Sequence, residues 1–225
     1  MLNINTILLI DHNSLTLEGY ISSILKITKN IYFFSFLKAI NCFQGYKIIL
    51  ENHKENKPID ALILDIDLHP YHEKNIFCGG DLAMFFKDKF PNSKIIFITS
   101  SKEAIKLNKI IDTVNPVGLI HKSDIDSLIL KSLFEKISKD NTCCFTPTIV
   151  KAIEYYNKHQ FSFDIKDIEI IDLIEKGIKT KNLPNYLGIK LSAIEKRKAK
   201  IKLQVLGKKC NDEELLAQLK KLKFI

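Results

Sequence analysis

The stretch Asp60-Ala61-Leu62-Ile63-Leu64-Asp65-Ile66-Asp67-Leu68 constrains this chain more than any other. An unbroken apolar run too short for a helix and closed by an acid reads as a strand covered on both faces. Strands of that kind belong to parallel sheets, and open α/β sheets place their ligands at the strands' carboxyl ends. Asp65 therefore stands at a position suited to chemistry. The signature recurs along the first part of the chain. Residues 7–10, 31–36, 61–65, 94–99 and 117–120 are strand candidates. Residues 15–27, 37–52, 79–90, 102–114 and 123–138 carry helical apolar spacing, with Ser123 placed to cap the last. This alternation predicts a doubly wound, five-stranded parallel α/β sheet with helices on both faces. Residues 69–78 are polar and aromatic with one proline, and read as a loop beside the strand ends.

The pattern then changes. Lys139-Asp140-Asn141-Thr142 reads as a boundary, and Thr146-Pro147 as the start of a connecting helix to about residue 158. From there the chain has four helical patterns (164–176, 181–187, 191–206 and 212–222) and no strand pattern. The expected organisation is an α/β domain over 1–138, a partly helical linker over 139–162, and an all-α four-helix domain over 163–225. Charge divides in the same way. Residues 151–225 carry 17 basic and 10 acidic residues, a net of +7, against 17 and 16, a net of +1, for the first 150. A neutral front and a basic back point the second domain at a polyanion. No apolar run is long enough to cross a bilayer, and the first residues lack a signal-peptide pattern, so the expected location is the cytoplasm. The five cysteines, odd in number and irregularly spaced, read as reduced and mostly buried thiols.

Asp11, Asp65, Thr99 and Lys122 each lie just beyond an apolar strand. Carboxylates gathered in one pocket repel unless a cation joins them, and hard oxygens favour Mg²⁺. An amine and a hydroxyl beside them suit the oxygens of a phosphoryl group, with Asp65 as the nucleophile of an acyl phosphate.

On these residues, positions 5–138 resemble the receiver domain of two-component response regulators, a flavodoxin-like fold. Leu9-Ile10-Asp11 is similar to the family's first-strand acidic site and Leu64-Asp65-Ile66-Asp67-Leu68 to its phospho-acceptor segment. Phe97-Ile98-Thr99 is similar to its hydroxyl switch, and Gly118-Leu119-Ile120-His121-Lys122 to its lysine segment. The resemblance implies that Asp65 accepts a phosphoryl group, with Thr99 and Lys122 contacting it. It implies Mg²⁺ on Asp11, Asp65 and the main-chain carbonyl of Asp67. Three departures stand out. His12 replaces a second acid, and imidazole suits softer metals than Mg²⁺, so weak Mg²⁺ binding is expected and His12 is the weakest member of the ligand set. Leu119 replaces the switch aromatic, and the 69–78 loop is longer than usual. A haloacid-dehalogenase-like phosphatase using Asp65 and Asp67 is the competing reading. In that family, however, the acidic pair sits on the first strand, and here it is on the third.

Leu187-Gly188-Ile189 followed by the basic run to Lys200 reads as a helix–turn–helix whose second helix fits a major groove. Ile194, Ile201 and Val205 keep core spacing, and Lys196, Arg197, Lys198, Lys200 and Lys202 crowd the remainder. Arg197, the only arginine in the chain, is the candidate for a bidentate guanine or phosphate contact. Residues 163–225 resemble the LuxR/FixJ-type DNA-binding domain, with Pro184 inside its scaffold helix as a departure. The expected DNA-contacting set is Lys190, Ser192, Lys196, Arg197, Lys198 and Lys200. The whole then reads as a DNA-binding response regulator, not an enzyme beyond its own autophosphorylation. Its expected partners are duplex DNA and a cognate histidine kinase, with a homodimer as the candidate active form and no membrane. A phosphorylation-independent pseudo-receiver is the variant that His12 motivates.

Overall fold

The computed structural model describes residues 6–27, 34–126, 129–130, 143–158, 163–222 and 224–225. It divides into two compact units, Met1–Ser101 with Ile110–Val150, and Lys102–Lys109 with Lys151–Ile225.

In the first unit the apolar runs become strands β1 (Thr6–Ile10), β2 (Ser35–Ala39), β3 (Ala61–Leu64), β4 (Lys94–Thr99) and β5 (Gly118–His121). Helices α1 (Ser14–Ile27), α2 (Cys42–Lys54) and α3 (Gly79–Lys89) alternate with them, and α4 (Ala104–Val114) follows β4 in sequence with its first turns falling in the second unit. All strand pairings are parallel, in the order β2-β1-β3-β4-β5, with a two-residue sixth strand, β6 (Cys144–Phe145), beside β5. Among the described residues the sheet therefore has six strands where five were expected. Two residues are too few to leave a periodic signal, and these follow the polar run read as a boundary. Ile7, Leu8, Leu9, Leu62, Phe97, Leu119 and Ile120 are fully buried, as a sheet covered on both faces requires.

Three local expectations are corrected. The second strand runs over Ser35–Ala39, not 31–36, and residues 31–33 lie outside the described set. The helix after it begins at Cys42, because the Asn41 side chain accepts from the Gln44 amide at 2.9 Å and caps it there. Ser123 does not cap a helix; it lies in a 3₁₀ turn, Lys122–Asp124, and the Asp126 carboxylate accepts from the Ile129 amide at 2.7 Å instead. Most of the expected 123–138 helix and of the 139–142 boundary lies outside the described residues. The cysteines are all thiols, but only Cys42 is buried; Cys143 is exposed and the other three are half-buried.

Helix α5 (Pro147–Lys158) leads into the second unit, which holds α6 (Ile165–Glu175), α7 (Pro184–Leu187), α8 (Leu191–Leu206) and α9 (Asp212–Lys221). Asp164 and Asp167 form a reciprocal capping box at the start of α6. Pro184 occupies the first turn of α7, after a 3₁₀ turn at Thr180–Asn182, where its missing N–H costs nothing. Gly188 ends α7 with φ 64°, a left-handed conformation that lets the chain turn directly into α8. Ile168, Ile171, Leu183, Ile194, Ile201, Leu215 and Leu219 form the core between these helices. Among the described residues no helix is long and apolar enough to cross a membrane.

Candidate functional site

The register of the sheet builds the first site. Ile10 pairs with Leu64, and the Asp65 amide donates to the Ile10 carbonyl at 2.9 Å, so the two carboxylates leave adjacent strand ends side by side. Strand order reverses here, since β2 lies on one side of β1 and β3 on the other, and this is where open sheets form a crevice. Thr99 pairs with His121, which brings Lys122 to the same end. Asp11 is 2% and Asp65 3% exposed, yet both are partners of one amine. Lys122 Nζ donates to Asp11 Oδ2 and to Asp65 Oδ2, each at 2.6 Å. Burial works against the charge on Lys122, but the hydrogen bonds and attraction from Asp11 and Asp65 outweigh it and raise its pKa above the ordinary value. The remaining carboxylate oxygens are held by backbone: Asp11 Oδ1 accepts from the Asn13 amide at 2.9 Å, and Asp65 Oδ1 from the Asp67 amide at 3.2 Å. Tyr20 of α1 feels the same charge. Burial first, and then the negative Asp11 and Asp65, push its phenol well above the ordinary range.

Thr99 is fully buried, with its hydroxyl oxygen accepting from the Ser101 amide at 3.1 Å. The chain thus brings Asp11, Asp65 and Lys122 into direct contact and sets Thr99 at the neighbouring strand end. The Asp67 side chain is exposed, and its amide donates to Asp65 Oδ1. The acids that share one amine are the expected Asp11 and Asp65, not the Asp65/Asp67 pair of the competing phosphatase reading. His12 lies at the rim, half exposed, with Nδ1 3.6 Å from Asp11 Oδ1 and 4.0 Å from Asp65 Oδ2. Asp11, His12 and Asp65 form a group whose ligand atoms lie within 4.8 Å of one another and that can hold a metal ion. Two of its donors suit Mg²⁺; the imidazole does not.

Gly79 was not among the expected site residues. Its amide donates to the Ile66 carbonyl at 2.8 Å, and a Cβ there would sit 1.9 Å from the Asp65 carbonyl oxygen. Only glycine allows α3 to press on the backbone that carries Asp65. The signal in the sequence was the Gly79-Gly80 pair, which a helix start does not need for its own sake. His121 was also unforeseen. It is 4% exposed, with Nε2 3.1 Å from the Ser100 carbonyl and Nδ1 2.7 Å from Ser123 Oγ. A carbonyl only accepts, so Nε2 donates there, and Nδ1 accepts from the Ser123 amide at 3.2 Å. Its backbone amide donates to Thr146 Oγ1 at 3.0 Å.

No protein-family model matches the sequence, and no curated protein is significantly similar to it. Solved structures are similar over the whole chain. The RcsB response regulator of Salmonella typhimurium, studied for conformational dynamism in DNA interaction, is 18% identical, with 98% of this chain and 99% of that chain covered at a TM-score of 0.64. RcsB from Salmonella enterica serovar Typhimurium bound to promoter rprA with the phosphomimetic BeF₃⁻ is 19% identical, with 96% and 98% covered at 0.59. ChrA, a response regulator of a heme-sensing two-component system, is 16% identical, with both chains fully covered at 0.50.

The fold is that of a two-domain response regulator. Within the response-regulator fold the strand-end pocket lies in the receiver-type unit and α8 in the helix–turn–helix unit. Two of the six residues expected to contact DNA, Arg197 and Lys198, are engaged within the fold. Arg197 Nη1 donates to Asp164 Oδ2 at 2.6 Å and to Asp167 Oδ1 at 2.8 Å, and Asp167 is fully buried. Its hydrogen bonds to the two carboxylates outweigh burial and raise the guanidinium's pKa above the ordinary value. The arginine is committed to tying α8 onto the capping box of α6. Lys198 is 8% exposed, with Nζ bonded to Thr180 Oγ1 and, at 2.7 Å, to Asp212 Oδ2. Ile194, Lys198, Ile201 and Val205 form the buried stripe of α8, so Lys198 is part of the core side. Lys190, Ser192, Lys196 and Lys200 are exposed, as are Glu195, Ala199 and Leu203 on the same face.

Proposed function

We infer that this chain is a DNA-binding response regulator that accepts a phosphoryl group on Asp65 and regulates transcription through α8. The observation that carries this reading is the Lys122 amine bonded at 2.6 Å to both Asp11 and Asp65 at the switch point of the sheet. Asp65 Oδ2 faces the pocket and attacks phosphorus, forming the acyl phosphate as the donor's bond to phosphorus breaks; a histidine kinase or a small acyl phosphate is the donor. Lys122 passes from the carboxylate to a phosphoryl oxygen. Thr99, whose hydroxyl hydrogen is not needed for its bond to the Ser101 amide, donates to another. A divalent cation on Asp11 and Asp65 supplies charge neutralisation when bound. Mg²⁺ suits the carboxylates, while His12 stands apart from an all-oxygen set.

In the helix–turn–helix unit the exposed face of α8, with Lys190, Ser192, Lys196 and Lys200, enters the major groove. Duplex DNA is the partner, with domain boundaries near 138 and 163, and a second copy of the chain is the candidate partner in the active form. The C-terminal half's net +7 supports contact with phosphates. A second reading is favoured by His12 and by the closed contact of Lys122 with both acids: a pseudo-receiver that binds DNA without phosphorylation. A band-shift series with the full chain on duplex DNA, at several salt concentrations and with or without acetyl phosphate, tests both. Binding that falls steeply with salt and strengthens with acetyl phosphate supports the first reading. Salt-dependent binding indifferent to acetyl phosphate supports the second. No binding above that of a lysine-rich control contradicts both.

A further inference from the structure

We propose that the pocket of Asp11, His12 and Asp65 takes a transition-metal dication of the Co²⁺/Zn²⁺ class in preference to Mg²⁺, with the His12 imidazole as the selecting ligand. The proposal deepens the reading of this pocket as a cation site and does not depend on phosphoryl transfer. The donor set is two carboxylates and one imidazole, each offering one atom, all within 4.8 Å of one another. His12 Nδ1 lies 3.6 Å from Asp11 Oδ1 and 4.0 Å from Asp65 Oδ2. A tetrahedral metal with bonds of ~2.0–2.1 Å needs donors ~3.4 Å apart, so His12 must close by roughly 0.2 Å on Asp11 and roughly 0.6 Å on Asp65, and no pair of donors by more than ~1.4 Å. The carboxylates are oriented by the fold, since both side chains are 3% exposed and each has an oxygen tied to a backbone amide, and small rotations of the two groups bring them together on a metal. His12, with 52% of its side chain exposed, has the room to make the adjustment.

Charge and softness point the same way. Two carboxylates against the one ammonium of Lys122 leave a net negative pocket that still attracts a dication. Mg²⁺ takes oxygen and gives up its water reluctantly, whereas imidazole nitrogen suits Co²⁺, Ni²⁺ and Zn²⁺. Asp65 Oδ2 is shared between Lys122 and the candidate metal position, so metal entry loosens the Lys122–Asp65 bond. Carboxylates alone also rank Co²⁺ above Mg²⁺. The distinguishing quantity is therefore how that preference changes when His12 is replaced.

The test is calorimetric titration of the full chain with Co²⁺ and separately with Mg²⁺, using wild type, His12→Ala and His12→Asp, with the visible spectrum of the Co²⁺ form recorded in parallel. Wild type is expected to bind Co²⁺ with nitrogen and oxygen bands and no thiolate charge-transfer band, which separates this site from Cys143 and the other cysteines. His12→Ala is expected to lose ~10-fold or more in Co²⁺ affinity with little change for Mg²⁺, and His12→Asp to narrow the Co²⁺/Mg²⁺ ratio by ~10-fold or more. Because His12 is half exposed, both variants are expected to keep the wild-type melting temperature, which is checked first. Co²⁺ affinity unchanged in His12→Ala, a ratio unchanged in His12→Asp, or a Co²⁺ spectrum made only of thiolate bands overturns the proposal. Acetyl phosphate labelling is read separately. A pocket that binds Co²⁺ through His12 but never labels refutes phosphorylation alone, and one that labels with Mg²⁺ while ignoring His12 refutes this inference alone.

Discussion

Arg197 shows how far a single side chain can depart from what its type suggests. As the only arginine in a lysine-rich chain it reads as a base contact, but in the fold it closes an ion pair with a fully buried carboxylate. Removing one partner of a buried pair costs ~3–5 kcal/mol when both are enclosed. Here the arginine side chain is a third exposed and Lys200 remains 3.9 Å from Asp167, so Arg197→Gln should cost about 1–3 kcal/mol. Denaturant unfolding measures it; a variant as stable as wild type that loses preference at one base pair would restore the base-reading role. Asp124 offers a test in pH. Burial pushes its carboxyl up, but hydrogen bonds from the Thr148 hydroxyl and amide, and from Thr146, overcome this and lower it from 3.8 to about 2. A carboxylate with a depressed folded pKa stabilises the fold above its unfolded value and loses that contribution as pH falls toward the folded one. Wild type should therefore lose stability from about pH 4 downward to about 2, and Asp124→Asn should show a shallower fall. Melting temperatures across that window decide, and parallel curves would refute the assignment.

At the scale of elements, what was legible had a period and what was hidden did not. β3 and β4 were readable because unbroken apolar runs have few alternatives, and α6, α8 and α9 because capping residues or glycines mark their ends. β6 was not, because two residues bear no pattern. The 31–36 assignment followed aromatic content, while the ladder with β1 runs over Ser35–Ala39, two of whose residues are Ser35 and Lys38. The pocket was readable because each acid or amine followed a strand; Gly79 showed only as half of a glycine pair, and His121 not at all, since their roles lie in contacts between separate segments. On α8 the evidence was present but outweighed by charge. Lys198 is four residues after Ile194 and three before Ile201, which places it on the apolar stripe despite its type. The exposed face of α8 then makes its own prediction. Lys196→Ala and Lys200→Ala, as phosphate contacts, should each weaken binding to all sequences alike and reduce the salt slope by about one. Lys198→Ala should lower stability instead, because it leaves Asp212 with one cation fewer at the α8–α9 contact. Band shifts at several salt concentrations, with a melting curve for each variant, separate the two classes; an unchanged salt slope in both exposed-lysine variants would move the DNA face elsewhere.

At the scale of the whole molecule, the chemistry and the charge are divided between two units. Acids and an amine meet at the strand ends of the first, and the excess of basic residues lies in the second half of the chain. For such a division to serve regulation, a covalent change at Asp65 must shift a pre-existing equilibrium that governs how α8 is used. Lys122 is the group most directly affected, since its two 2.6 Å bonds to Asp11 and Asp65 cannot both persist unchanged once Asp65 carries a phosphoryl group. The central claim is thus that Asp65 is a nucleophile and not simply the buried half of an ion pair. Intact mass of the full chain after incubation with acetyl phosphate, in Mg²⁺ and in Co²⁺, compared between wild type and Asp65→Asn, tests it most directly. The account predicts one added phosphoryl group in wild type with at least one of the two metals and none in Asp65→Asn. An equal adduct in the variant, or no adduct in wild type with either metal, would contradict it.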